Sequence, residues 1–121
     1  MSVLENTTKL YQMMGQGQMM EAFEEFYADN VVVQEANGDV RNGKEAQRAA
    51  LGEWAQSVKE HHAGGVGATT ANEESGTACV ESWADVTFQD GNRIRMEEVA
   101  VQKWENGKIV HERFYYNMPG M

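Results

Sequence analysis

The chain has 121 residues, 41% hydrophobic and 24% charged. That length and composition fit one globular domain, residues 1–121, and exclude a disordered or low-complexity protein. Nineteen acidic against ten basic side chains give a formal net charge of −9, which repels phosphate and anionic lipid and argues against nucleic acid and membrane as partners. No run approaches the roughly 20 apolar residues that span a bilayer, and no basic-then-apolar leader opens the chain. With one cysteine, Cys79, no internal disulfide can form, so the expected location is cytoplasmic.

From Ser2 to about Met14, Val3, Leu10 and Met14 stand at helical spacings until Gly15 and Gly17 break the pattern. Met19, Met20, Phe23, Phe26 and Tyr27 then recur at three- and four-residue steps, the stripe of a second helix that Asp29-Asn30 ends. Val31-Val32-Val33 is a β-branched strand and Asn37-Gly38-Asp39 a turn. Asn42 with Glu45 reads as a capping box opening a third helix. Its stripe is Ala46, Ala50, Trp54 and Val58, and it closes near His61-His62 and Gly64-Gly65. From Val66 the period becomes two. Val66–Thr70, Thr77–Phe88, Arg93–Trp104 and Lys108–Asn117 read as strands, the last three joined by hairpins at Asp90-Gly91 and Asn106-Gly107. The order α-α-β-α-β-β-β-β defines an α+β class.

Two-residue turns at both hairpins place Val86 opposite Arg95, Ser82 opposite Val99, and Val99 opposite Phe114. One face then carries Val80, Ser82, Ala84, Val86, Phe88, Arg95, Glu97, Val99, Val101, Val110, Glu112, Phe114 and Tyr116. It is the more apolar and is assigned to the interior. Arg95, Glu97 and Glu112 interrupt it, which requires a polar pocket or an ion-pair network. The other face mixes Trp83, Met96, Arg113 and Tyr115, a composition suited to a homodimer interface. A single β-bulge would exchange the faces beyond it.

The run Tyr27-Ala28-Asp29-Asn30-Val31-Val32-Val33-Gln34-Glu35 resembles the Tyr-Ala-Asp-Asp, strand, carboxylate segment of ketosteroid isomerases and SnoaL-like polyketide cyclases. Asn42-Gly43-Lys44-Glu45-Ala46 resembles that superfamily's opening of the third helix. Gly107-Lys108-Ile109 with Arg113-Phe114-Tyr115-Tyr116-Asn117 resembles its last hairpin. The resemblance to this nuclear-transport-factor-2-like group implies a cone: three helices on a curved antiparallel sheet enclosing a pocket. It implies that Glu35 holds the general-base position and that Tyr11, on the first helix, is the oxyanion-binding tyrosine. It places Val99 where a second oxyanion-binding acid is expected, with Glu97 one inward position away, and Phe114 where epoxide hydrolases of this fold carry an aspartate.

The expected site is thus Glu35 and Tyr11 as catalytic groups, with Trp54, Arg95, Glu97, Val99, Glu112, Phe114 and Tyr116 lining a ligand pocket. His61, His62 and His111 have no metal-ligand spacing, so neither a metal nor a cofactor is expected. Two functions follow. One is a cofactor-free isomerase- or cyclase-type enzyme acting on a neutral, partly apolar small molecule, with Glu35 as acid/base and Tyr11 or Tyr116 as donor. The other is a non-catalytic dimeric ligand-binding or interaction module.

Overall fold

The computed structural model describes residues 1–117. Helices α1 (Val3–Gly15) and α2 (Met19–Phe26) lead into strand β1 (Tyr27–Gln34). Strand β2 (Val40–Asn42) and helix α3 (Lys44–Ser57) follow, then β3 (Val58–Asn72), β4 (Thr77–Phe88), β5 (Arg93–Glu105) and β6 (Lys108–Tyr116). The strands form one six-stranded sheet in the order β2-β1-β6-β5-β4-β3. Neighbours run antiparallel except β1 and β6, which are parallel, so the sheet is mixed. The fold is α+β, three helices against an open, curved sheet.

Helix α1 starts where the backbone donors find acceptors. Ser2 and Glu5 form a reciprocal capping box. The carboxylate of Glu73, from the turn between β3 and β4, accepts the amides of Val3 and Leu4 at 2.7 and 3.1 Å. The core lies at this end: Leu10, Ala22, Phe26, Val31, Val33, Ala78, Trp104 and Ile109 form one buried cluster, with the rings of Phe26 and Trp104 edge to face at 5.8 Å.

Several boundaries differ from the sequence reading. The chain leaves α2 at Phe26, so Tyr27, Asp29 and Asn30 belong to β1. Residues 40–42 pair with β1, Val33 opposite Arg41, and the N-cap position of α3 falls on Gly43 instead of Asn42. Helix α3 stops at Ser57, well before His61-His62. Its end is held from outside: Gln89 of the β4–β5 loop donates its amide to Ser57 O at 2.9 Å and its side chain to Gln56 O and Val58 O. Val58 then pairs with Phe88, and the chain continues as the sheet-edge strand β3. Gly64 and Gly65, which read as a helix stop, lie inside that strand. A Cβ on Gly65 would stand 2.7 Å from Trp83 Nε1. The glycine makes room for the indole of the neighbouring strand.

The hairpin registers decide which side chains face the helices. Asn106 and Gly107, at φ 53° and 76°, make the expected two-residue turn. The β4–β5 connection is one residue longer. Phe88 and Asn92 pair across the loop Gln89-Asp90-Gly91, with Phe88 N–H to Asn92 O at 2.8 Å and Gly91 at φ 91°. Val86 therefore faces Ile94, Ala84 faces Met96, and Ser82 faces Glu98. A bulge at Val110 between β5 and β6 restores the original count, so that Ala100 faces Phe114 and Gln102 faces Glu112. The two offsets cancel for β6 and leave β5 reversed.

Gly65→Ala tests the β3 assignment. The added methyl collides with Trp83 and is expected to cost about 1–3 kcal/mol, read as a lower urea midpoint. In a Trp83→Ala background that cost should shrink, whereas the cost at a helix-stop glycine, set by its positive φ, would not change.

Candidate functional site

The reversal of β5 changes the composition of the cone. Arg95, Glu97 and Val99, expected inside, lie on the outer face. There Arg95 stacks over Trp83 with its guanidinium 4.0 Å from the ring centre and bonds Glu97 at 3.1 Å, and Val99 is exposed. Met96, expected outside, faces inward opposite Ala84. The inward residues of β5 are Met96, Glu98, Ala100, Gln102 and Trp104.

Glu112 sits at the base of this face and is buried. The Tyr27 hydroxyl donates to its Oε1 at 2.5 Å, and Gln102 Nε2 donates to its Oε2 at 2.7 Å. Neither donor is a cation. Burial accordingly pushes the Glu112 carboxyl up to about 7 against the pull of those two bonds, with the Glu35 charge adding to the rise. Gln102 also donates to the Tyr11 oxygen at 3.4 Å and accepts from Trp104 Nε1 at 3.3 Å.

Glu98, opposite Tyr116, is the second carboxyl of the cone. Burial, then the charges of Glu112 and Glu35, push it up to about 7. Glu35 follows the last residue of β1 and has a cation. Arg41 donates to its Oε2 at 2.9 Å while Arg41 Nε is anchored on Gln47 Oε1 at 2.7 Å. The Tyr116 hydroxyl lies 3.4 Å from Glu35 Oε1. Tyr11 and Tyr27 are both raised above the ordinary phenol range, by burial first and by Glu112 second, so both stay protonated.

Of the predicted site residues, Tyr116 bonds Glu35, and Gln102 links Glu112 to Tyr11. Phe114 is half-buried against the core cluster. Trp54 is 38% exposed and meets Phe88 edge to face at 5.5 Å, away from the main core. Sequence reasoning missed Tyr27, Arg41, Gln47, Glu98, Gln102 and Trp104. The Asn37-Gly38-Asp39 turn is the one signal that could have set Arg41 beside Glu35.

Helix α3 buries only Gln47 completely. A recess of about 190 Å³ between α1 and β3 is lined by Thr7, Thr8, Tyr11, Gln12, Val66 and Thr69. A larger groove of about 350 Å³ is lined by Gly67, Glu81, Trp83, Arg95, Glu97, Val99 and Tyr115 of the outer face and also by Ser82 and Glu98. Among the described residues no three His, Cys, Asp or Glu side chains converge on one point. His62 instead bonds Glu60 at 3.2 Å and Thr87 at 2.7 Å. No helix among the described residues is long and apolar enough to cross a membrane.

The raised carboxyls set a pH dependence of stability. Glu98 and Glu112 bind protons more tightly folded than unfolded, so stability is lost as pH rises from about 4.5 to 7. Glu24 and Asp85, whose values are lowered, act below that window. Glu112→Gln removes the charge at nearly the same shape and replaces one of the two accepting oxygens by an amide nitrogen. It should flatten the fall in Tm between pH 5 and 8 and gain on the order of 3 kcal/mol at pH 8. Parallel Tm curves for the two proteins would contradict the assignment.

The family model described as a SnoaL-like domain matches residues 1–116. A solved structure from Mesorhizobium loti, named as a SnoaL-like polyketide cyclase with carbohydrate phosphatase in the same name, is 33% identical. It covers 96% of this chain and 100% of its own, with a TM-score of 0.82. A Bacillus subtilis structure named as an isomerase is similar at 18% identity, 97% and 90% coverage and a TM-score of 0.81. An NTF2-like protein of unknown function from Burkholderia pseudomallei is 15% identical, over 97% and 92% of the two chains, with a TM-score of 0.79. Comparison with curated proteins finds no match.

Proposed function

This chain belongs to the SnoaL-like domain family, and we propose that its cone is a cofactor-free proton-transfer site for a neutral, partly apolar carbonyl compound. The observation that carries the reading is the contrast between two carboxyls that interact in one cone. Glu35 faces the Arg41 cation. Glu98 has no cation and is held at about 7 by burial and by its acidic neighbours. Environments that separate two carboxyls in this way assign them to opposite roles. Glu35 is the base that removes a proton from the carbon next to the carbonyl. Glu98, protonated below about pH 7, and Tyr11, always protonated, donate to the oxygen as it gains negative charge. Return of the proton from Glu35 to a different carbon completes an isomerisation; attack of the carbanion on a second carbonyl, whose oxygen takes the proton back from Glu35, completes a cyclisation. Arg41 and Tyr116 hold Glu35 in place.

The reaction class can be tested without the natural substrate. 1-Indanone in D2O should exchange its C2 protons faster with the protein than in buffer, as read by proton NMR. Glu35→Gln should lower the rate at least about a hundredfold. The wild-type rate should fall above pH 7, as Glu98 loses its proton, and Glu98→Gln should abolish that descending limb. Exchange at the buffer rate, or exchange indifferent to Glu35→Gln, would sink the reading.

The outer face supports a second reading, a two-fold homodimer. Trp83, Val99 and Tyr115 form an apolar centre flanked by the acids Glu81 and Glu97 and the bases Arg95 and Arg113, a pattern that can meet itself across a two-fold axis. Sedimentation at micromolar concentration should give a dimer that Val99→Lys converts to monomer. A wild-type monomer would remove this reading and leave the proton-transfer site standing.

A further inference from the structure

Away from the cone, the first residues of β3 depart from regular pairing with β4. Val58 faces Phe88 and Glu60 faces Thr87, then His61 faces Val86 and Ala63 faces Asp85. Lys59 and His62 are therefore extra residues on β3, two bulges on either side of the Glu60-His61 pair. A bulge re-aims a side chain, and the second one brings the His62 ring against Thr87. Both ring nitrogens have partners: Nε2 lies 2.7 Å from Thr87 Oγ1, and Nδ1 lies 3.2 Å from Glu60 Oε2.

The partners fix the direction of both bonds. A carboxylate only accepts, so Nδ1 of the neutral imidazole carries the proton and gives it to Glu60. Nε2 is left with its lone pair and accepts from the Thr87 hydroxyl. That is the polarity of a hydroxyl nucleophile, its base and the carboxylate that orients the base. Asp85 does not compete for Nδ1, because Arg93 occupies both of its oxygens at 3.1 and 3.0 Å. Arg93 also stands directly opposite Thr87 on β5, so Glu60, Thr87 and Arg93 form one row across three strands. A cation in that position can offset negative charge developing on an acyl oxygen. Thr87 is half-buried and the His62 side chain is 22% exposed, so solvent reaches both.

We propose that Thr87, His62 and Glu60 form a second reactive site, in which the Thr87 hydroxyl takes an acyl group from a small activated ester. As Oγ1 bonds the carbonyl carbon, its proton passes to His62 Nε2. The adduct collapses, the ester C–O bond breaks, and the departing oxygen takes the proton from Nε2. Water then repeats the sequence. His62 takes its proton, the water oxygen bonds the acyl carbon, and the Thr87 oxygen leaves and recovers a proton from Nε2. The sum is ester and water to acid and alcohol, with no oxidant or reductant. Thr87 and His62 are the catalytic residues, and Glu60 is a positioning residue that holds the ring in its Nδ1–H form. Neither the recess nor the outer groove includes Thr87, so the site selects an ester by the quality of its leaving group and not by shape.

p-Nitrophenyl acetate is the probe. The wild-type protein should release nitrophenolate faster than buffer does. Peptide mass spectrometry of protein quenched in acid during turnover should find the acetyl group on Thr87. Thr87→Ser retains the hydroxyl and should retain both signals, whereas Thr87→Val should lose the label and most of the release. His62→Gln should slow release about a hundredfold. Glu60→Gln should slow it too, and it has a readout apart from turnover. Nitrogen NMR of the neutral His62 ring should place the proton on Nδ1 in the wild type and mostly on Nε2 in Glu60→Gln. Release at the buffer rate, acetyl groups on lysine or histidine without one on Thr87, or a wild-type ring protonated at Nε2 would each overturn the proposal. If Thr87→Val does not fold, the labelled residue and the wild-type tautomer still decide.

Discussion

Strand β5 enters the sheet through a three-residue loop and leaves it beside a bulge, and the chemistry inside the cone follows from those two irregularities. The loop Gln89-Asp90-Gly91 shifts the pairing with β4 by one residue, and the extra Val110 shifts the pairing with β6 back. Side chains alternate across a strand, so the first shift turns Glu98 and Gln102 inward and turns Arg95, Glu97 and Val99 outward. Without it the cone would have received an arginine, a different glutamate and a valine. The same loop ends α3, because Gln89 takes up the last carbonyls of that helix. One short connection therefore sets both the lining of the cone and the length of one of its walls.

The cone is unusual in its charge balance. Three carboxyls, Glu35, Glu98 and Glu112, share the inner region with one cation, Arg41, and Arg41 is spent on Glu35 and Gln47. The other two must be neutralised by protons or stabilised by neutral donors. Glu112 uses both means: it has donors on each oxygen and still lies at about 7. A leucine at that position would fill the space without the desolvation cost. What Glu112 adds is order, since it holds Gln102 and Tyr27, and potential, since its charge raises both Tyr11 and Glu98.

Helix α3 is held unevenly along its length. Its first half is tied to α2 by the two-pronged bond of Arg48 to Glu24 and by Lys44 to the Glu24 carbonyl. Its second half has no comparable ties except at the Gln89 end, and Trp54 meets only the strand tip at Phe88. One buried cluster joins α1, α2 and Trp104, and Val80, Val86 and Ala100 are buried along β4 and β5.

The inward placement of Glu112, Phe114 and Tyr116 holds because two register offsets cancel; local sequence patterns determined the three helices, the long strands after Thr77 and the Asn106-Gly107 turn. These depend on periodicity and turn chemistry within a few residues. Resemblance over the Tyr27–Glu35 run and the last hairpin located the family and brought Glu35 and Tyr11 into view. Tertiary structure decided the rest. Val58 to Gly65 read as the end of a helix, yet pairing with β4 and the bulk of Trp83 draw them into a strand. Val99 read as the inward residue, yet one extra loop residue gives that place to Glu98. Turn length and bulges change a face by a single residue while leaving the alternation of the strand itself untouched. A period-two pattern therefore states that a strand has two faces and cannot state which one looks inward; only the neighbouring strand, by its hydrogen-bond register, makes that choice.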